Sequence, residues 1–106
     1  MGKFVIILKN KTKGTLTADL LKNHVEHLRN LCKKGNLSLC GPFRDNDGAL
    51  QIIEAASKEE AKMLLLQDPF VDKKYYQDFD IYELIEANES NKYLMEDSQS
   101  NLIKKN

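Results

Sequence analysis

The sequence predicts an α+β domain of ferredoxin-like type, a β-α-β-β-α-β chain with two helices packed on one face of a four-stranded antiparallel sheet. Three observations predict it. Four short β-favouring runs alternate with two longer stretches of helical spacing, in that order. A polar segment with an Asp-Gly turn signal joins the second and third runs as a hairpin. The 106 residues suit one domain, read here as residues 1–87, followed by a polar tail or loose helix over 88–106.

Each element has its own local reason. Phe4 to Leu8 is an unbroken apolar run and reads as a fully buried strand. Residues 15–34 read as an amphipathic helix. At about 100° per residue, Leu16, Leu20, Leu21, Val25, Leu28 and Leu31 share one half of its circumference with Cys32, and charged and amide side chains hold the other. Gly35 supplies the residue that can turn left-handed past the helix end. Leu37–Cys40 is the second strand; Gly41-Pro42 breaks it. Phe43 to Gly48 is a polar loop and Ala49–Ala56 the third strand.

Ser57 and Glu60 form a capping box, and the helix they open carries Ala61, Leu64 and Leu65 at helical spacing. Asp68-Pro69 stops it, since a residue before proline is pushed out of the helical region. Tyr75–Ala87 is a fourth strand with apolar groups on both faces, Phe79 and Ile81 on one, Tyr82 and Leu84 on the other. A sheet with helices on one side needs a cover on its other side. A second copy placed face to face would provide it, giving a dimeric α/β-barrel and a homodimer.

Composition narrows the function classes. Sixteen basic residues balance sixteen acidic ones. Nucleic-acid binding draws most of its affinity from excess positive charge, so no nucleic-acid partner is expected. Lys9, Lys11 and Lys13 read as a solvated loop. The N-terminal apolar run of Phe4 to Leu8 is too short for a signal peptide or a membrane span, so no membrane is expected and a cytoplasmic location follows. Cys32 and Cys40 lack zinc-ligand spacing and read as reduced thiols. No glycine-rich phosphate loop or metal cluster is present, so neither cofactor nor metal is expected.

Several segments together resemble the YCII-related family: Asn23-His24-Val25-Glu26-His27-Leu28, Gly35-Asn36-Leu37, Cys40-Gly41-Pro42-Phe43-Arg44-Asp45-Asn46-Asp47-Gly48-Ala49, Glu54 to Ala61, and Asp68-Pro69-Phe70-Val71. The likeness spans roughly residues 3–86 and rests on order and spacing. It implies a ferredoxin-like dimer with a His–Asp site in a cleft. The better understood relatives suggest lyase or isomerase chemistry on small ring compounds. His24, eleven residues before Gly35 and seventeen before Gly41, has the spacing of the family's histidine; His27 is three residues off it. The matching aspartate is Asp45, with Asp47 as the fallback.

The residues themselves speak to the same roles. His24 lies mid-stripe among aliphatic side chains of the first helix, and His27 at the stripe's edge. A histidine there either satisfies its nitrogens within the core or does chemistry. As a catalytic group, His24 would take and return a proton, and Asp45 would hold its tautomer if the Gly41-Pro42 turn brings the loop over the helix. Asp45 reads equally as a local turn residue.

Asp68 is a candidate substrate-binding residue or a cap for the short segment after it. Arg44 can grip a substrate carboxylate bidentately or be plain surface. Tyr75, Tyr76 and Tyr82 line a pocket or pack the strand. The leading expectation is a small-molecule lyase or isomerase acting on a small organic substrate. The alternative is a non-catalytic dimeric module that binds a small molecule or supports assembly.

Overall fold

The structure, a computed structural model, describes residues 1–95. Its elements are β1 (Gly2–Lys11), α1 (Ala18–Lys33), β2 (Leu37–Pro42), β3 (Ala49–Ala55), α2 (Lys58–Leu66), the single-turn α3 (Pro69–Asp72) and β4 (Tyr76–Leu84), then a 3-10 helix, Glu89–Leu94. The strands form one sheet in the order β2-β3-β1-β4, every neighbour antiparallel. This is the expected ferredoxin-like α+β topology. Of the segment expected as a polar tail, the 3-10 helix is described, and residues 96–106 lie outside the described residues.

Side-chain alternation sorts the sheet into two faces. Phe4, Ile6 and Leu8 of β1 stand opposite Ile53, Gln51 and Ala49 of β3. All six are buried, together with Leu31 of α1 and Ala61 and Leu65 of α2. The other face carries Val5 and Ile7, opposite Ile52 and Leu50, all only half-buried. Beside them Leu39 is 56% and Tyr82 59% exposed. So β1 is buried on one face within this chain, where the unbroken apolar run suggested burial on both.

Helix α1 starts later than its spacing suggests. Thr17 is extended, and its side chain accepts from Leu20 N at 3.1 Å, so it caps a helix that begins at Ala18. Leu16 therefore precedes the helix and is 46% exposed. At the far end Gly35 has φ +79°, and the Asn36 amide closes onto Leu31 O at 2.8 Å. Ser57 caps α2 by accepting from Glu60 N at 3.1 Å, while the Glu60 carboxylate accepts from Ala56 N at 3.0 Å.

The β2–β3 loop turns through Asn46, whose side chain accepts from Gly48 N at 2.7 Å. Gly48 is required by close approach: a Cβ there would stand 2.7 Å from Leu8 O. That contact seats the loop over the end of β1. There Phe43, Asn46 and Asp47 border a hollow with Leu8, Lys9 and Asn10.

Candidate active site

Helix α1 crosses the sheet without covering it fully. Among its described residues only Leu31 is buried. Before Leu31 the helix and strands β2 and β3 together line a cavity of about 300 Å³. Leu21, Val25 and Leu28 form the helix wall; Gly41, Pro42 and Ala49 form part of the sheet wall. His24, Cys40, Gln51 and Tyr76 bring the cavity its side-chain polar atoms.

His24 leaves the middle of α1 with its side chain 13% exposed. Its Nδ1 lies 2.7 Å from Oδ1 of Asp68, a residue 0% exposed. Asp68 owes its place to two helix ends. Its amide donates to Leu65 O at the close of α2, and its side chain caps α3, accepting from Phe70 N at 2.9 Å. Pro69 follows at the first position of α3, where its missing N–H costs nothing. The second oxygen accepts from Gln51 Nε2 at 3.0 Å. A buried carboxylate loses its hydration, and three donors, one amide N–H, one side-chain amide and one imidazole, compensate for it.

Those contacts decide the imidazole tautomer. An ionised carboxylate only accepts, so Nδ1 carries the proton it shares with Asp68. Nε2 is the nitrogen left for the cavity. The Phe70 ring lies flat on the imidazole, centroids 3.7 Å apart and planes 5° from parallel, which fixes the ring's rotation.

Around this pair the environment favours uncharged groups. Burial pushes the Cys40 thiol up from its ordinary pKa, with help from the nearby Asp68 charge. Burial likewise raises the Tyr76 phenol, reinforced by Tyr75, Asp68 and Asp47. His27, one turn after His24, has its pKa lowered by burial, with Asp68 acting in the opposite sense. Its Nε2 is enclosed and has no hydrogen-bond partner among the described residues, as is also true of Gln51 Oε1. No group of three or more His, Cys, Asp or Glu residues able to hold a metal ion is found among the described residues.

The expected site residues separate. His24 lines the cavity, and the carboxylate on its ring is Asp68, not Asp45. Asp45 and Arg44 are exposed in the β2–β3 loop and make no side-chain hydrogen bond or ion pair among the described residues. The reason is the loop's direction: it folds over the end of β1 rather than over α1. Of the two roles expected for Asp68, the structure shows the cap of α3; the residue is 0% exposed and outside the cavity lining, so its carboxylate meets the cavity's histidine rather than the cavity itself. Gln51 and Phe70 were missed. A signal for Gln51 existed, a lone amide among the inward positions Ala49, Ile53 and Ala55 of β3.

A family model described as the YCII-related domain matches residues 3–85. No curated protein matches the chain. Among solved structures, it is similar to 5-chloro-2-hydroxyhydroquinone dehydrochlorinase (TftG) from Burkholderia phenoliruptrix AC1100, determined in complex with 2,5-dihydroxybenzoquinone. The identity is 22%, the match covers 83% of this chain and 97% of that one, and the TM-score is 0.65, a likeness of fold.

Proposed function

The chain belongs to the YCII-related domain family, and on that footing we propose that it is a small-molecule lyase or isomerase with His24 as general acid and base and Asp68 as its orienting partner. The observation that carries this is the 2.7 Å contact between His24 Nδ1 and Asp68 Oδ1 at the wall of an apolar cavity. Carboxylate, imidazole and open Nε2 in series are what proton transfer needs. The dehydrochlorinase named above, which shares the fold, lends the elimination class its support.

In the proposed step, Nε2 takes a proton from a substrate O–H or C–H bond. The electron pair left behind either expels a leaving group with its bonding pair or shifts a double bond. The imidazolium that forms is stabilised by the Asp68 carboxylate at 2.7 Å, and the proton then returns to the rearranged substrate or leaves to water. Arg44 and Asp45 take no part in this reading.

The assembly belongs to the same proposal. Val5, Ile7, Leu50 and Ile52 form an apolar strip on the open sheet face, extended by Leu39 and Tyr82. Lys3–Glu86 and Lys9–Asp80 ion pairs border it. A second copy packed sheet to sheet would cover that strip, giving the homodimer. No described helix is long and apolar enough to cross a membrane. Two free, exposed thiols suit a reducing, cytoplasmic setting.

The test is a turnover screen that follows halide release from chlorinated hydroxylated rings and solvent-deuterium exchange into ring compounds. Activity in the wild type that disappears in a folded His24→Ala variant supports the reading. Activity that survives that substitution, or none in the wild type across both assays, removes it.

A further inference from the structure

The cavity wall is selective in what it lacks. None of its lining residues is Lys, Arg, Asp or Glu. Arg44 is exposed in its loop and outside the lining. Lys11 stands over the Tyr75 and Tyr76 rings, 5.8 and 5.7 Å from their centroids, and is outside the lining too. The thiol of Cys40 and the phenol of Tyr76 are ordinarily uncharged near neutral pH, and partial loss of water raises the pKa of both further. A negative charge stands directly behind the wall, since Asp68 is hydrogen-bonded to two lining residues, His24 at 2.7 Å and Gln51 at 3.0 Å.

An anion entering this cavity would give up its hydration and meet no fixed cation. His24 in its Nδ1–H form offers an acceptor at Nε2, so a ligand that pairs with it must donate. The volume is about 300 Å³. Apolar cavities of about 150 Å³ hold benzene, so the space fits a single ring with a few substituents.

We propose that the cavity takes an uncharged, largely apolar molecule of about one substituted ring, presents His24 Nε2 to its weakly acidic hydroxyl, and turns away carboxylates and phosphates. This rests on reading the cavity as the site of the His24–Asp68 chemistry. The only charge the bound molecule then carries is one made in place: its O–H bond breaks, the proton goes to Nε2, and the oxyanion faces the imidazolium just formed.

The experiment uses the wild-type protein near neutral pH and three probes of similar size, phenol, its methyl ether anisole, and benzoate. Backbone amide NMR shifts of Val25, Leu28 and Gln51 report occupancy. Phenol is expected to bind at least about five-fold more tightly than anisole, the worth of one net hydrogen bond, and benzoate not to move these resonances. Benzoate matching phenol, or anisole matching phenol, overturns the proposed class while leaving a ligand cavity. No shift from any probe overturns the class and the active-site reading together. A preference for phenol alongside turnover that ignores His24→Ala keeps the class and removes the catalytic reading.

Discussion

His24 and Asp68 stand 44 residues apart in the chain, yet Nδ1 of one lies 2.7 Å from Oδ1 of the other. The contact joins the middle of α1 to the cap of α3, and Gln51 of β3 grips the same carboxylate from the sheet. Three separate elements thus meet at one buried group.

That arrangement sets the imidazole tautomer. Long-range proton–nitrogen NMR of neutral His24 is expected to show the proton on Nδ1, the less common form of a free imidazole. In Asp68→Ala the acceptor is gone, and the proton is expected to move to Nε2. In Asp68→Asn the amide oxygen can still accept, so the tautomer persists while the charge that steadies the imidazolium is lost. Turnover in that variant is expected to fall by on the order of a hundred-fold or more. A wild-type spectrum with the proton on Nε2 would contradict the assigned contact.

Gln51 is 2% exposed and gives Asp68 its second-oxygen donor. Gln51→Leu keeps the volume and removes that donor from a buried carboxylate. The expected cost is about 1–2 kcal/mol, or a melting temperature lower by roughly 5–15 °C for a domain of this size. Calorimetry decides it: an unchanged or raised melting temperature means the bond contributes nothing net.

The fold was legible because its signals are local. Ser57 and Glu60 announce α2, Gly35 ends α1 with a positive φ, and the apolar runs of β1 and β3 set their own alternation. Half of the candidate site was legible, because His24 interrupts an aliphatic stripe and also keeps the spacing to Gly35 and Gly41 on which the family resemblance rests. Its partner was not. Whether Asp45 or Asp68 reaches α1 depends on where a loop lies in three dimensions, and that is decided by the fit of Gly48 against Leu8 O. The open sheet face had a sequence signature, apolar groups at alternate positions of β1 and β3, but what covers it lies outside a single chain.

His27 makes stability depend on pH. Burial holds its folded-state pKa below the ordinary 6.5. His24 and Lys34 act in the same sense, and Asp68 and the Leu64 backbone act against it. A depressed folded value means the unfolded chain binds the proton first as pH falls. The contribution is therefore complete above pH 6.5 and is lost as pH drops from there through the lowered folded value. Urea unfolding of the wild type is expected to show this loss, and His27→Leu, which has nothing to protonate, to flatten it. Equal pH slopes in the two proteins would assign the acid sensitivity elsewhere.

The open sheet face gives the last test. Ile52 lies at the centre of the apolar strip, opposite Val5 on β1 and Leu39 on β2. Its side chain points away from the core packed beneath Ile53. Lysine at that position can extend into water in a lone chain, but in a sheet-to-sheet dimer it would be desolvated against a second apolar strip and its own symmetry mate. A buried unpaired ammonium costs several kcal/mol, enough to dissociate an interface of ordinary size. Sedimentation velocity of the wild type at micromolar concentration is expected to give twice the chain mass, and Ile52→Lys the chain mass alone with its helical circular dichroism retained. A monomeric wild type, or an Ile52→Lys variant still sedimenting as a dimer, would mean that another surface, or none, joins the copies.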